Sequence, residues 1–122
     1  MADRMPTVLS HYTKGTGYEK EVLNLKASLE RFNLPYEIVA IENLGSWRRN
    51  SNYCSQIILD FLESNPEKDV LRVDADAVFR QYPFLLTSDD FVADVAAHVH
   101  DFRWRRHELL GGTIYFRNTE AV

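Results

Sequence analysis

The sequence predicts an α/β fold with an open, mostly parallel sheet and flanking helices. Three observations point there. Short β-branched or apolar runs alternate with helical stretches several turns long, the pattern of βαβ units. The stretch after the first run carries Tyr18, Val22, Leu25, Leu29 and Phe32 at helical spacing, one apolar stripe. The run over residues 69–73 is nearly all apolar, as a strand covered on both faces should be.

The elements follow in order. A first strand is expected over residues 7–12, then a loop at Lys14-Gly15-Thr16-Gly17. Thr16 and Glu19 have the spacing of a capping box, which predicts a helix running to about Phe32, stopped by Asn33 and Pro35. Residues 36–41 read as the second strand and 43–50 as a polar loop. A second helix is expected over 51–64, with Cys54, Ile57, Ile58, Phe61 and Leu62 inward and Pro66 ending it. The third strand is 69–73, and further strands are expected over 91–97 and 112–116.

Length and composition narrow the function. With 122 residues, residues 1–122 are expected to form a single domain. A net charge of −4 argues against a nucleic-acid partner, since phosphate backbones call for a basic face. No run reaches the ~18 apolar residues of a membrane span, and the first six residues lack the apolar stretch of a signal peptide. The lone cysteine, Cys54, cannot form an internal disulfide and sits in an apolar helical pattern, so it reads as a small core residue. These features predict a cytoplasmic protein. Self-association is left open, because a short α/β domain can leave a sheet edge uncovered.

The chemistry is concentrated at Asp74-Ala75-Asp76. In open α/β sheets, ligands bind outside the carboxyl ends of the strands, and this triplet leaves the third strand at that edge. Two carboxylates two residues apart can converge on a hard cation such as Mg²⁺ or Mn²⁺, whose other ligands are often substrate phosphates. The bare triplet is common; its place after residues 70–73 is what gives it weight. The plainer alternative is that Asp74 caps a turn and Asp76 is solvated.

The run from Val70 to Phe79, with Pro83 shortly after, resembles the Asp-x-Asp segment of GT-A glycosyltransferases, the nucleotide-diphospho-sugar transferase type. Leu110-Gly111-Gly112-Thr113-Ile114-Tyr115-Phe116-Arg117-Asn118-Thr119 is similar to the strand that follows the metal motif in these enzymes, and Trp47 to Asn52 is a looser match to the region near base and ribose. The resemblance spans about residues 7 to 119. It implies a Rossmann-like GT-A fold, C-terminally short, that binds a nucleotide-diphosphate sugar and transfers the sugar to an acceptor not identifiable from sequence. Asp76 would be the direct ligand of Mn²⁺ or Mg²⁺, and Asp74 would hold the ribose or a metal-bound water. Tyr12 and Thr13 would meet the nucleotide, and Arg48 and Asn52 would line its base or phosphate side. Gly111 and Gly112 would let the backbone approach the sugar. GT-A domains usually continue past this last strand, where a further metal ligand, acceptor contacts and often the catalytic base lie. No residue here stands out as that base.

Two other readings remain. A haloacid dehalogenase-type phosphatase also places Asp-x-Asp after an apolar strand, with Asp74 as nucleophile and Asp76 as general acid, but usually on the first strand. A non-catalytic nucleotide-sugar-binding module is the other. Elsewhere, His98 and His100 share one strand face, more simply as a half-exposed face than as a metal pair. His11 and His107 have no evident partner. Arg103-Trp104-Arg105-Arg106 fits either a phosphate-contacting loop or a solvated turn. Lys14-Gly15-Thr16-Gly17 lacks P-loop spacing.

Overall fold

A computed structural model of the protein describes residues 5–101 and 107–119. Its strands are β1 (Thr7–Thr13), β2 (Tyr36–Ile41), β3 (Val70–Val73), β4 (Val95–Asp101) and β5 (His107–Phe116). Its helices are α1 (Tyr18–Arg31), α2 (Trp47–Asn52) and α3 (Cys54–Ser64), with a 3₁₀ turn over Phe84–Thr87. One sheet holds all five strands in the order β2-β1-β3-β5-β4. β1 pairs in parallel with β2 and β3, while β5 runs antiparallel to both β3 and β4. The expected α/β class with an open sheet is observed. Its parallel part is the three-strand core, and the last two strands turn back along one edge.

Alternation along the strands divides the core in two. Val8, Leu71 and Val73 pack with Val22, Leu25 and Leu29 of α1. Leu9 and Val70 pack with Ile57, Phe61 and Leu62 of α3. The first connection runs outward from β1 to β2, and the second returns across β1 to β3. Right-handed crossovers in opposite directions put their helices on opposite faces. The chain therefore parts between the carboxyl ends of β1 and β3, where a crevice opens. No helix among the described residues is long and apolar enough to cross a membrane.

Several local expectations are corrected. The Thr16–Glu19 capping box does not form: Gly17 is the N-cap and makes no side-chain cap. Gly15 turns the chain at φ 77°, which aims its N–H at the Glu19 carboxylate (2.8 Å), and the Thr16 hydroxyl donates to the Thr13 carbonyl (2.7 Å). The expected polar loop at 43–50 already contains the start of α2, because Ser46 caps it by accepting from the Arg49 N–H at 3.2 Å. The expected second helix is two helices, with Tyr53 ending α2 and starting α3. β4 starts at Val95 rather than at Phe91, whose ring instead meets Tyr115 edge-on at 4.9 Å. β5 starts five residues earlier than expected, at His107 rather than Gly112.

Asp69 falls just outside β3 and serves as a fastener. It accepts from the Asn118 backbone N–H (2.8 Å) and the Tyr115 hydroxyl (3.3 Å). The Asn118 side-chain amide donates to the carbonyls of Leu62 (2.9 Å) and Asn65 (2.7 Å), satisfying the end of α3. Asn118→Ala is expected to cost about 1–3 kcal/mol, since it orphans partly buried carbonyls. Urea unfolding would read this as a lower midpoint with unchanged slope.

Candidate functional site

A cleft of about 470 Å³ lies at the carboxyl ends of β1 and β3. His11, Tyr12 and Thr13 line it from β1, and Arg72, Asp74 and Asp76 from β3 and the turn beyond. Trp47, Asn50, Ser51, Cys54 and Ile58 form the α2–α3 side, and Tyr18 opens α1 at the rim. Asp74 and Asp76 stand here because β3 ends in a turn closed by Ala77 N–H donating to the Asp74 carbonyl at 3.0 Å. The segment leaving that turn is tied to α1: Phe79 N–H donates to the buried Ser28 hydroxyl at 2.9 Å.

Asp74 is held through its side chain and its backbone. Arg72 Nη1 donates to its Oδ1 at 2.5 Å, with the arginine side chain 12% exposed. Its backbone N–H donates to the Gly112 carbonyl at 3.0 Å. A Cβ on Gly112 would stand 3.1 Å from Asp74 Oδ2, a tight approach, and glycine leaves that oxygen room. Gly112 lies within the bulge that interrupts the β4–β5 ladder, between Leu110 and Ile114. Gly112→Ala should push the carboxylate by a few tenths of an ångström. The thermal midpoint should change little, as melting curves would measure.

Burial holds the His11 pKa below its ordinary 6.5, and the Arg72 charge pushes it the same way. A hydrogen bond to the Asn50 backbone and the charge of Asp74 pull upward but lose. Stability from keeping His11 neutral is complete above 6.5 and is lost as pH falls through the lower folded value. His11→Asn should therefore flatten the drop in thermal midpoint between about pH 7 and pH 5. Burial also raises the Cys54 thiol pKa against the pull of Arg72, which suits a packed thiol better than a nucleophile.

The structure thus brings Tyr12, Thr13, Asp74 and Asp76 into one cleft, with Gly112 against Asp74. Arg48 and Asn52 are exposed on α2 and do not line it; Trp47, Asn50 and Ser51 take that wall. Gly111 lies on β5, and its surroundings fall outside the described residues, as do the side chains of His100 and His107. Arg103, Trp104, Arg105 and Arg106 fall outside them altogether. His98 lines a separate apolar groove. Lys14 pairs with Glu42 at 2.8 Å, an exposed contact screened by water. Sequence reasoning missed Arg72. The available signal was a charge inside an otherwise apolar strand.

Among the described residues, no group of three or more His, Cys, Asp or Glu side chains gathers to hold a metal. Asp74 and Asp76 offer carboxylate oxygens alone. That donor set could hold a hard cation only together with oxygens from a ligand.

No protein-family model matches the chain, and no curated protein matches it. Its fold is similar to that of a glycosyltransferase involved in the glycosylation of the major capsid of PBCV-1, with a TM-score of 0.63 and 16% sequence identity. The likeness covers 91% of this chain and 60% of that one. The chain has a glycosyltransferase-like α/β fold, and its cleft lies at the sheet edge where Asp74 and Asp76 leave β3.

Proposed function

We propose that the protein is a metal-dependent glycosyltransferase domain of GT-A type, which binds a nucleotide-diphosphate sugar and passes the sugar to an acceptor. The observation that carries this reading is the pair Asp74 and Asp76, set at the carboxyl end of β3 and facing a cleft large enough for a nucleotide. The glycosyltransferase-like fold supports it. Asp76, exposed at the tip of the turn, is the direct ligand for Mn²⁺ or Mg²⁺, and Asp74 is the second carboxylate. When bound, the cation supplies positive charge that stabilises the departing diphosphate. Tyr12 and Thr13 orient the nucleotide from the end of β1. Trp47, 73% exposed at the mouth, offers a flat face to the base. Gly112 keeps the Asp74 carboxylate in position and lets the sugar lie close to β5.

Calorimetric titration of UDP and GDP, with and without Mn²⁺, tests this reading. Binding of one nucleotide that requires Mn²⁺ is the expected result. Absence of binding under both conditions would overturn it. Binding without sugar transfer from any donor would leave a nucleotide-sugar-binding module.

A further inference from the structure

Arg72 is the sole Lys or Arg among the described residues lining the cleft. It is also in an unusual place. β3 is otherwise apolar, and its other three residues are buried in the two cores. A guanidinium is costly to desolvate, and here it is 12% exposed and bonded to Asp74 Oδ1 at 2.5 Å. One arginine against two aspartates leaves a formal charge of −1 on the cleft lining. An anion entering this cleft meets repulsion from Asp74 and Asp76 and attraction from Arg72.

We propose that Arg72 is an anion-binding residue of the cleft, held by Asp74 until that carboxylate is engaged elsewhere and then turned toward a diphosphate. Two features support this beyond the ion pair. First, a guanidinium presents five donors in one plane, so it can hold a carboxylate and a phosphate oxygen together. Second, the Asp74 backbone is anchored by its N–H on the Gly112 carbonyl, and Gly112, lacking a Cβ, leaves room beside Oδ2. The Asp74 backbone is thus anchored to β5 while its half-exposed carboxylate can serve Arg72 or a metal ion. A divalent cation on Asp74 competes with Arg72 for the same charge and frees the guanidinium for phosphate. Metal and diphosphate then favour each other's binding. The inference rests on reading the cleft as a diphosphate site. It does not rest on sugar transfer.

The test uses inorganic pyrophosphate with EDTA, titrated into the whole chain by calorimetry. The native protein is expected to bind it weakly without metal. Arg72→Met should weaken this binding by about tenfold, the loss of one charge-assisted contact. Arg72→Lys should restore part of it. Asp74→Asn should strengthen it by about tenfold, more than Asp76→Asn, because both remove one repelling charge and only the first also releases the guanidinium. A guanidinium that takes no part in anion binding would leave Asp74→Asn and Asp76→Asn with equal gains. Unchanged affinity in Arg72→Met, weaker affinity in Asp74→Asn, or no metal-free binding by the native chain would overturn the proposal. The excess of Asp74→Asn over Asp76→Asn decides even if Arg72→Met fails to fold. Loss of Mn²⁺-dependent nucleotide binding from the native chain, with the pyrophosphate series intact, would sink the transferase reading and leave this one standing.

Discussion

On the proposed reading of the cleft, Asp76→Asn is expected to remove Mn²⁺-dependent nucleotide binding, with affinity falling on the order of 100-fold, the upper end of the 10–100-fold usual for outer-shell partners. The substitution keeps the size of the side chain and deletes its charge. Asp76 is exposed on a turn whose closing bond, Ala77 N–H to the Asp74 carbonyl, does not use its side chain. Folding should therefore be untouched, and the thermal midpoint without ligand should stay within about a degree or two, as for a surface change of ±0.5 kcal/mol. Titration of UDP and GDP with Mn²⁺ measures the effect. Retained Mn²⁺-dependent affinity would show that the cation, if it binds, takes its ligands elsewhere.

The largest expected effect on stability is at Leu9. Its side chain is fully buried in the centre of β1, between β2 and β3, with Ile57, Phe61 and Leu62 of α3 above it. Leu9→Ala should cost about 2–5 kcal/mol, from lost transfer energy and the cavity left behind. That is a large share of the ~5–15 kcal/mol that stabilises a domain of this size. Leu59 lies on the same helix but is 46% exposed, so Leu59→Ala should cost well under half as much. Chemical unfolding of the two variants makes the comparison. Similar losses would mean that α3 packs differently. Leu9 also supports the cleft at a distance: α3 rests on it, and the first turn of α3 carries Cys54 into the α2–α3 side.

Periodic apolar spacing made β1, α1, β2 and β3 legible within a residue or two, because burial of one face is a local, repeating demand. Val22, Leu25 and Leu29 are buried as their spacing required, whereas Tyr18 in the same stripe turned outward to the cleft. Helix ends were less legible. Ser46 caps α2 through a bond that short polar segments offer at many positions, and Gly15 redirected Glu19 away from Thr16.

By itself, the sequence determined an α/β alternation and placed two carboxylates where an apolar strand ends. Those follow from residue type and order alone. The tertiary structure decided the direction of β5, which wall of α2 faces the cleft, and what stands against Asp74. Pairing of β5 with β3 sets Gly112 beside Asp74 across 38 residues of chain, and strand alternation turns Arg72 to the α3 side under His11 and Cys54. Such meetings depend on which strands become neighbours. That is a property of the whole sheet, and no window of sequence contains it.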